Sequence, residues 1–462
     1  MGKLGDILSH PDEFLPMVRM MYAARKASML PKDPGLAFCY GMLNDVSRSF
    51  AIVIQQLPNP LRDAICVFYL VLRGLDTVED DMALDISFKV PQLKAFHERI
   101  YQRGFTMACG TKHYKRLMAQ FDIVVNVFLS LEPAHQKVIA DITRRMGYGM
   151  AEFIEKEVVT VKDYDQYCHY VAGLVGIGLS HLFAACGLES PSIAVEEDLA
   201  NHMGLFLQKT NIIRDYLEDI MEEPAPRMFW PKEVWGRYGS SLDDFKSPAN
   251  RKQAVQCLNH LVTDALRHLP YCLQYMKQLK HVLVFRFCAI PQIMAAGTLA
   301  LCYNNGKIFE GVVKLRRGET AKVFESCNDL GDVYRWFIRF LEVMRTKVES
   351  QVAVDDPSLA ATRQEVSASL ERCFHALAEW RLTQAVPGGS ALAVVRDVTA
   401  LALTGSYFYY VWRLGGPGPE ALPELLRPYA WVLDQQEQVQ RAVAAVLLLV
   451  VFAAVVSERK KA

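Results

Sequence analysis

The feature that most restricts this chain's fold is a short acidic pattern that occurs twice. Asp76-Thr-Val-Glu79-Asp80 and Asp215-Tyr-Leu-Glu218-Asp219 both read Asp-x-x-Glu-Asp. Both lie among apolar residues: Phe68, Leu70, Val71, Leu72 and Leu75 around the first, Ile212, Ile213, Tyr216 and Leu217 around the second. Positions i, i+3 and i+4 share one helix face, so each copy predicts a helix on which three carboxylates converge. Like charges at i,i+4 destabilise an isolated helix by ~0.2–0.5 kcal/mol per pair, and a hard divalent cation offsets that repulsion. Oxygen donors without His or Cys suit Mg²⁺, which takes one or two carboxylates and completes its shell with waters and phosphate oxygens. One copy alone is compatible with a solvated acidic face. Two copies, each with an arginine just upstream (Arg73, Arg214), point to facing helices that hold metal-bridged diphosphates.

The rest of the chain fits that setting. From about residue 36 to 345 apolar residues recur at three and four spacings, while two-residue alternation is scarce, so the expected class is all-α. Pro58 and Pro60 mark one boundary, Pro224, Pro226 and Pro231 another, and Asn304-Asn-Gly reads as a helix C-cap. The polar stretch from Thr346 to about Arg372 reads as a connector, and Pro387-Gly-Gly and Gly415-Gly-Pro-Gly-Pro as breaks. The expected organisation is an N-terminal segment over 1–35, a catalytic helical domain over 36–345, a polar connector over 346–390, an apolar and aromatic segment over 391–438, and an anchor over 439–457. No solenoid-length repeat is evident.

Composition removes several function classes. With 51 basic and 51 acidic residues among 462 the net charge is zero, and no basic field supports nucleic acid as the partner. The 11 cysteines form no CxxC pair, so buried, reduced thiols in a cytosol-facing protein are expected, with neither a disulfide framework nor a zinc site. Asp6, His10, Asp12 and Glu13 interrupt any secretory signal, and Asp6 stands where a myristoylation start needs Ser or Thr. The opposite end is apolar without interruption from Ala442 to Val456. That run spans roughly 22 Å as a helix, and from Val439 it approaches a ~30 Å hydrocarbon core with Arg441 snorkelling. We read it as a membrane anchor. Val398 to Trp412 is also apolar, and an interfacial or re-entrant segment, a second span and a protein-packed helix all stay open for it.

Together with Ser47-Arg48-Ser-Phe50, Tyr167-Cys-His-Tyr170-Val-Ala-Gly173-Leu-Val-Gly176-Ile-Gly178 and Phe287-Cys-Ala-Ile-Pro-Gln292, the acidic pair resembles the eukaryotic squalene synthase family, farnesyl-diphosphate farnesyltransferases of the head-to-head prenyl synthase class. The resemblance implies a single large isoprenoid-synthase helical bundle with a central active-site cavity. It also implies condensation of two farnesyl diphosphates to presqualene diphosphate, followed by NADPH-dependent rearrangement to squalene. Carried over residue by residue, Asp76, Glu79, Asp80, Asp215, Glu218 and Asp219 would bind Mg²⁺. Arg48, Arg73, Arg214 and Arg227 would clamp phosphate oxygens, and Tyr167 would be the catalytic tyrosine, with Tyr170 its nearest competitor. Tyr69 and Phe287 would present π faces to carbocations, and Phe50, Tyr170 and Gln208 would line the substrate site. Asn211, Lys314, Arg316 and Arg317 would contact NADPH. Gly173-x-x-Gly-x-Gly reverses the dinucleotide pattern in a helical context and is no such fingerprint. Arg286 puts a charge beside Phe287 where a neutral residue is expected.

The resemblance further implies an endoplasmic reticulum membrane protein with its catalytic domain facing the cytosol, acting as a monomer. Two other readings stay open at this point: a phytoene or dehydrosqualene type synthase without the reduction, and a non-catalytic, membrane-tethered helical scaffold.

Overall fold

The computed structural model describes residues 10–27, 30–223, 226–350 and 352–384. Among them no strand occurs, and the all-α expectation holds. The helices run, in chain order, α1 Phe14–Ala27, α2 Pro34–Val46, α3 Arg48–Ile54, α4 Leu61–Asp80, α5 Ile86–Arg99, α6 Lys112–Ala119 and α7 Phe121–Ser130. There follow α8 Pro133–Phe153, α9 Val161–Cys168, a π-helical turn His169–Gly173, α10 Leu174–Ala185, α11 Glu197–Arg214 and α12 Tyr216–Ile220. The series closes with α13 Lys232–Trp235, α14 Arg251–Leu266, α15 Leu269–Gln278, α16 Val282–Cys302, α17 Arg317–Ser326, α18 Leu330–Ser350 and α19 Leu359–Gln384.

Local chemistry sets several of these boundaries. Asp33 caps α2 by accepting from the Leu36 N–H at 2.8 Å, with Pro34 in the first turn. Thr160 and Asp163 form a reciprocal capping box at the start of α9. Beyond α16, Asn304 takes the left-handed conformation at φ 51°, as its reading as a C-cap required. α16 itself runs through Pro291 without a break.

The bundle is organised around α11, which packs against α9, the π turn, α10, α14, α15 and α16. The stretches Val161–Ala185 and Val282–Cys302 are long and apolar enough to cross a bilayer. Both instead lie in the protein core against α11, with Val284, Ala289, Ile293 and Leu299 fully covered. Glycines on both sides make the approach of the first stretch possible: a Cβ on Gly176 of α10 would enter the Ala200 carbonyl, and one on Gly204 of α11 would sit 2.6 Å from the Gly173 nitrogen.

Two sequence expectations need correction. The stretch read as a polar connector is helical for most of its described length, with α18 reaching Ser350 and α19 beginning at Leu359. Val366, Leu370 and Cys373 are buried, and Thr362, fully covered, shares a 2.6 Å hydrogen bond with Thr263 of α14. The first compact unit accordingly extends to Cys373, beyond the boundary drawn at 345. The second acidic motif does not lie on one continuous helix either. α11 ends at Arg214 and α12 restarts at Tyr216, with Asp215 at φ −92° and ψ 14° between them. The apolar segment over 391–438 and the anchor over 439–457 lie outside the described residues. All 11 cysteines are free, as expected.

Gly204 and Gly41 offer a paired test of the packing. Gly204→Ala should lower the unfolding free energy by about 1–3 kcal/mol through overpacking. Gly41→Ala, where nothing lies within 4 Å, should leave it unchanged or raise it by up to about 1 kcal/mol. Urea denaturation of the two variants checks both.

Candidate active site

The first acidic motif closes α4, a helix whose apolar face (Phe68, Val71, Leu75, Val78) is wholly buried. That burial fixes the helix roll and leaves Asp76, Glu79 and Asp80 at one edge. Arg73 reaches Asp76 at 3.3 Å and lies over the rings of Tyr69 and Tyr114, while its Nε is buried without a hydrogen-bond partner. Asp81, next in sequence, is used differently: it accepts from the Gly110 N–H at 2.7 Å and the Ala83 N–H at 2.9 Å, tying down a loop.

The second motif is joined to the first by Arg227. Its guanidinium pairs with Glu79 at 2.9 Å and with Asp80, and its backbone N–H donates to the Asp219 carbonyl at 3.0 Å. One residue thus fastens both carboxylate groups together. Arg214 is engaged differently from the phosphate clamp expected of it. It closes a two-pronged pair on its neighbour Asp215, at 2.7 and 2.5 Å, across the break between α11 and α12. Glu218 is exposed, and the Asp219 N–H still bonds the Asp215 carbonyl at 2.9 Å.

These carboxylates carry more negative charge than the surrounding cations balance. Burial, partly offset by Arg73, pushes Asp76 up to about 6, and burial with Asp215 beside it pushes Asp219 up to about 7. Glu79 is also raised, by burial first, against the pull of Arg227. Among the described residues no three His, Cys, Asp or Glu side chains form a ready-made metal cage. An oxygen-only donor set, excess negative charge and the unpartnered Arg73 Nε therefore fit Mg²⁺ with a diphosphate.

Tyr167 stands beside this centre and Tyr170 does not. The Tyr167 ring is buried and stacked on Phe229 at 3.9 Å and 9°, with Phe153 edge-on at 5.4 Å. Burial, then the nearby Glu79 charge, holds its hydroxyl well above the usual phenol range, against the opposing pull of Arg227. It is a neutral phenol at any working pH. Tyr170, one π turn on, donates to Glu152 at 3.2 Å and accepts from Gln166 at 3.1 Å. Phe50 and Tyr69 face each other at 6.3 Å between centroids. Arg48 lies at the start of α3.

Phe287 is buried on α16 with Phe183 edge-on at 6.1 Å. Arg286 does not disturb it, because its guanidinium donates to the carbonyls of Cys327 and Phe324, at 2.7 and 2.6 Å, and to Asn328. Its charge is spent on the C-terminal end of α17. Gln208 is half-buried and Asn211 exposed on α11. Lys314, Arg316 and Arg317 are exposed at the start of α17, with Arg316 paired to Glu13 at 2.7 Å. Sequence reasoning missed Phe229 and Lys89. Phe229 follows Arg227 by two residues, which was a usable signal. Lys89, buried on α5 and donating to the Glu79 carbonyl at 2.9 Å, gave none.

Three comparisons bear on this geometry. The model of the squalene/phytoene synthase family matches residues 43–319. A squalene synthase (LSS) of Botryococcus braunii is 59% identical over 81% of this chain and 80% of its own. Lycopaoctaene synthase of the same organism is 50% identical over 91% of this chain and 95% of its own. The solved structure of TcSQS in complex with the ligand E5700 matches with a TM-score of 0.72 at 42% identity, covering 74% of this chain and 99% of that one. The paired acidic motifs, the buried tyrosine beside them and these matches have one common reading: the chain belongs to the squalene/phytoene synthase family, as a transferase of the squalene synthase group.

Proposed function

We propose that the enzyme joins two farnesyl diphosphates head-to-head through presqualene diphosphate and reduces that intermediate with NADPH to squalene. The observation that carries this reading is the Arg227 bridge, which makes one anion-binding centre out of two acidic motifs. Asp76, Glu79 and Asp80 on one side, and Asp215, Glu218 and Asp219 on the other, would hold Mg²⁺. Bound there, the metal neutralises the charge that develops on a departing diphosphate.

The chain's own residues do the remainder. Arg73 and Arg227 sit where that negative charge grows, and planar guanidinium gives paired contacts to phosphate oxygens. Arg214 orients Asp215, and Arg48 would meet the second diphosphate. The buried, neutral Tyr167 hydroxyl lies near Glu79 and Arg227, where it would exchange a proton with a diphosphate held by these residues. Phe50, Tyr69, Phe287 and the Phe229 face on Tyr167 exclude water and present π density to cationic carbon. Gln208 supplies a polar contact along α11. The exposed charges of Lys314, Arg316 and Arg317, with Asn211, suit the phosphates of NADPH, which when bound supplies hydride. The apolar C-terminal run would hold the enzyme, as a monomer, on the endoplasmic reticulum membrane.

Product analysis tests the reaction. Farnesyl diphosphate with Mg²⁺ and NADPH should give squalene. Asp80→Ala and Asp219→Ala should each lower kcat by about 10²-fold or more. Dehydrosqualene accumulating while NADPH stays unconsumed would defeat the reductive half.

The acid centre also predicts a pH dependence. Asp76 and Asp219 rise from 3.8 to about 6 and about 7 in the folded chain. The folded protein therefore keeps protons that the unfolded chain has lost, and the two groups oppose folding increasingly as pH climbs through that window. Without metal, the melting temperature should fall between pH ~4 and ~7, Asp219→Asn should flatten that fall, and Mg²⁺ with inorganic diphosphate should reverse it. A wild-type curve with no such fall, measured by differential scanning fluorimetry, would contradict the charge imbalance.

A further inference from the structure

The N-terminal helix α1 is apolar on both sides, and only one side is covered. Its inner face, with Glu13 and Pro16 buried and Met20 partly so, packs against α17 and α3. Three ion pairs lash it there: Asp12 with Lys322, Glu13 with Arg316 and Arg19 with Glu325. On the outer side Phe14 and Leu15 are each 53% exposed, Val18 45%, Met21 69% and Tyr22 73%. Those positions recur at three and four spacings and form a single stripe. Scattered exposed apolar residues need no explanation, but a continuous stripe on one helix marks a contact surface.

The occupant is indicated by charge and by position. α1 itself contains no acidic residue, and the two acids of the turn before it, Asp12 and Glu13, pair with Lys322 and Arg316. Lys26 and Lys32 follow the stripe and are exposed. A second copy laid on the same face would set these cations against one another. An apolar stripe beside basic residues is instead the pattern of a helix lying in the headgroup boundary of an anionic bilayer. α3, against which α1 packs, carries Phe50, itself 39% exposed and facing Tyr69 of the active site.

We propose that the outer face of α1 seats on an anionic bilayer surface, as a membrane contact separate from the C-terminal tail. It holds the Phe50 side of the active site at the lipid boundary, where an apolar chain passes between bilayer and pocket without crossing water. The helix geometry carries this, and it stands whether or not the NADPH step is correct.

The test uses the full chain, with Met21→Cys carrying an environment-sensitive fluorophore. Val195→Cys, 80% exposed beside α11 at a distance in sequence from α1, serves as the reference site, and unsubstituted labelled protein as the blank. On vesicles of phosphatidylcholine and phosphatidylserine, emission at position 21 should shift to the blue and be quenched by lipids with a shallow doxyl group, while position 195 stays unquenched. Phosphatidylcholine alone, or added salt, should weaken the effect. Met21→Glu with Tyr22→Glu, labelled at Val18→Cys, should lose the quenching and keep its turnover in detergent. Equal quenching at both sites, or none at 21, overturns the proposal. Emission at 21 that is already blue without vesicles also overturns it, because the tail or a second copy would then cover the face.

Discussion

The structure depends on how Arg227 is held. Three residues of two different motifs (Glu79, Asp80 and Asp219) meet at Arg227, the first two through its guanidinium and the third, by its main-chain carbonyl, through its backbone N–H. Without that cation, Glu79 and Asp80 would stand unpaired side by side at the end of α4, where burial makes repulsion far stronger than in water. With it, burial still holds Asp76 and Asp219 well above the usual carboxylate range, with Asp80 beside the first and Asp215 beside the second adding repulsion. The folded state is therefore built around a charge that is only partly balanced, as a site made to accept a further cation should be.

The bundle supplies the rigidity for this. α4 is fixed by a completely buried apolar face, and α11 by six packed neighbours, two of which approach closely enough to require glycine. Lys209 on α11 adds a buried link, with its ammonium 2.5 Å from both Asp165 of α9 and Asp264 of α14. α9 carries Tyr167, so the same node fixes that tyrosine relative to α11, the helix that ends at the second acidic motif. Breaking one partner of a buried ionic group is strongly destabilising, which ties the precision of the site to the integrity of the core.

Much of this was legible in the residues. The i, i+3, i+4 acid pattern does not depend on tertiary detail, so the first cluster was placed correctly on a helix, whereas the second is split by a break at Asp215. That break was hidden because the Arg214–Asp215 pair that accompanies it joins adjacent residues, and no periodicity reports it. α19 was misread for a different reason: Val366, Leu370 and Cys373 keep a helical spacing, but the many polar residues on the other face lowered the mean. Tyr167 and Tyr170 were separable only in three dimensions, by Glu152 taking up the second. Arg286 looked like a disturbance of the pocket wall because its true partners, the carbonyls of Cys327 and Phe324, lie some forty residues downstream.

The central claim is that the two acidic motifs are one site. Calorimetric titration of inorganic diphosphate in the presence of Mg²⁺ measures it most directly, on Asp80→Asn, Asp219→Asn and the double variant. If the motifs share the ligand, each single change removes most of the affinity and the double change adds little. Independent losses that sum in the double variant would mean two separate sites, and the account would be wrong.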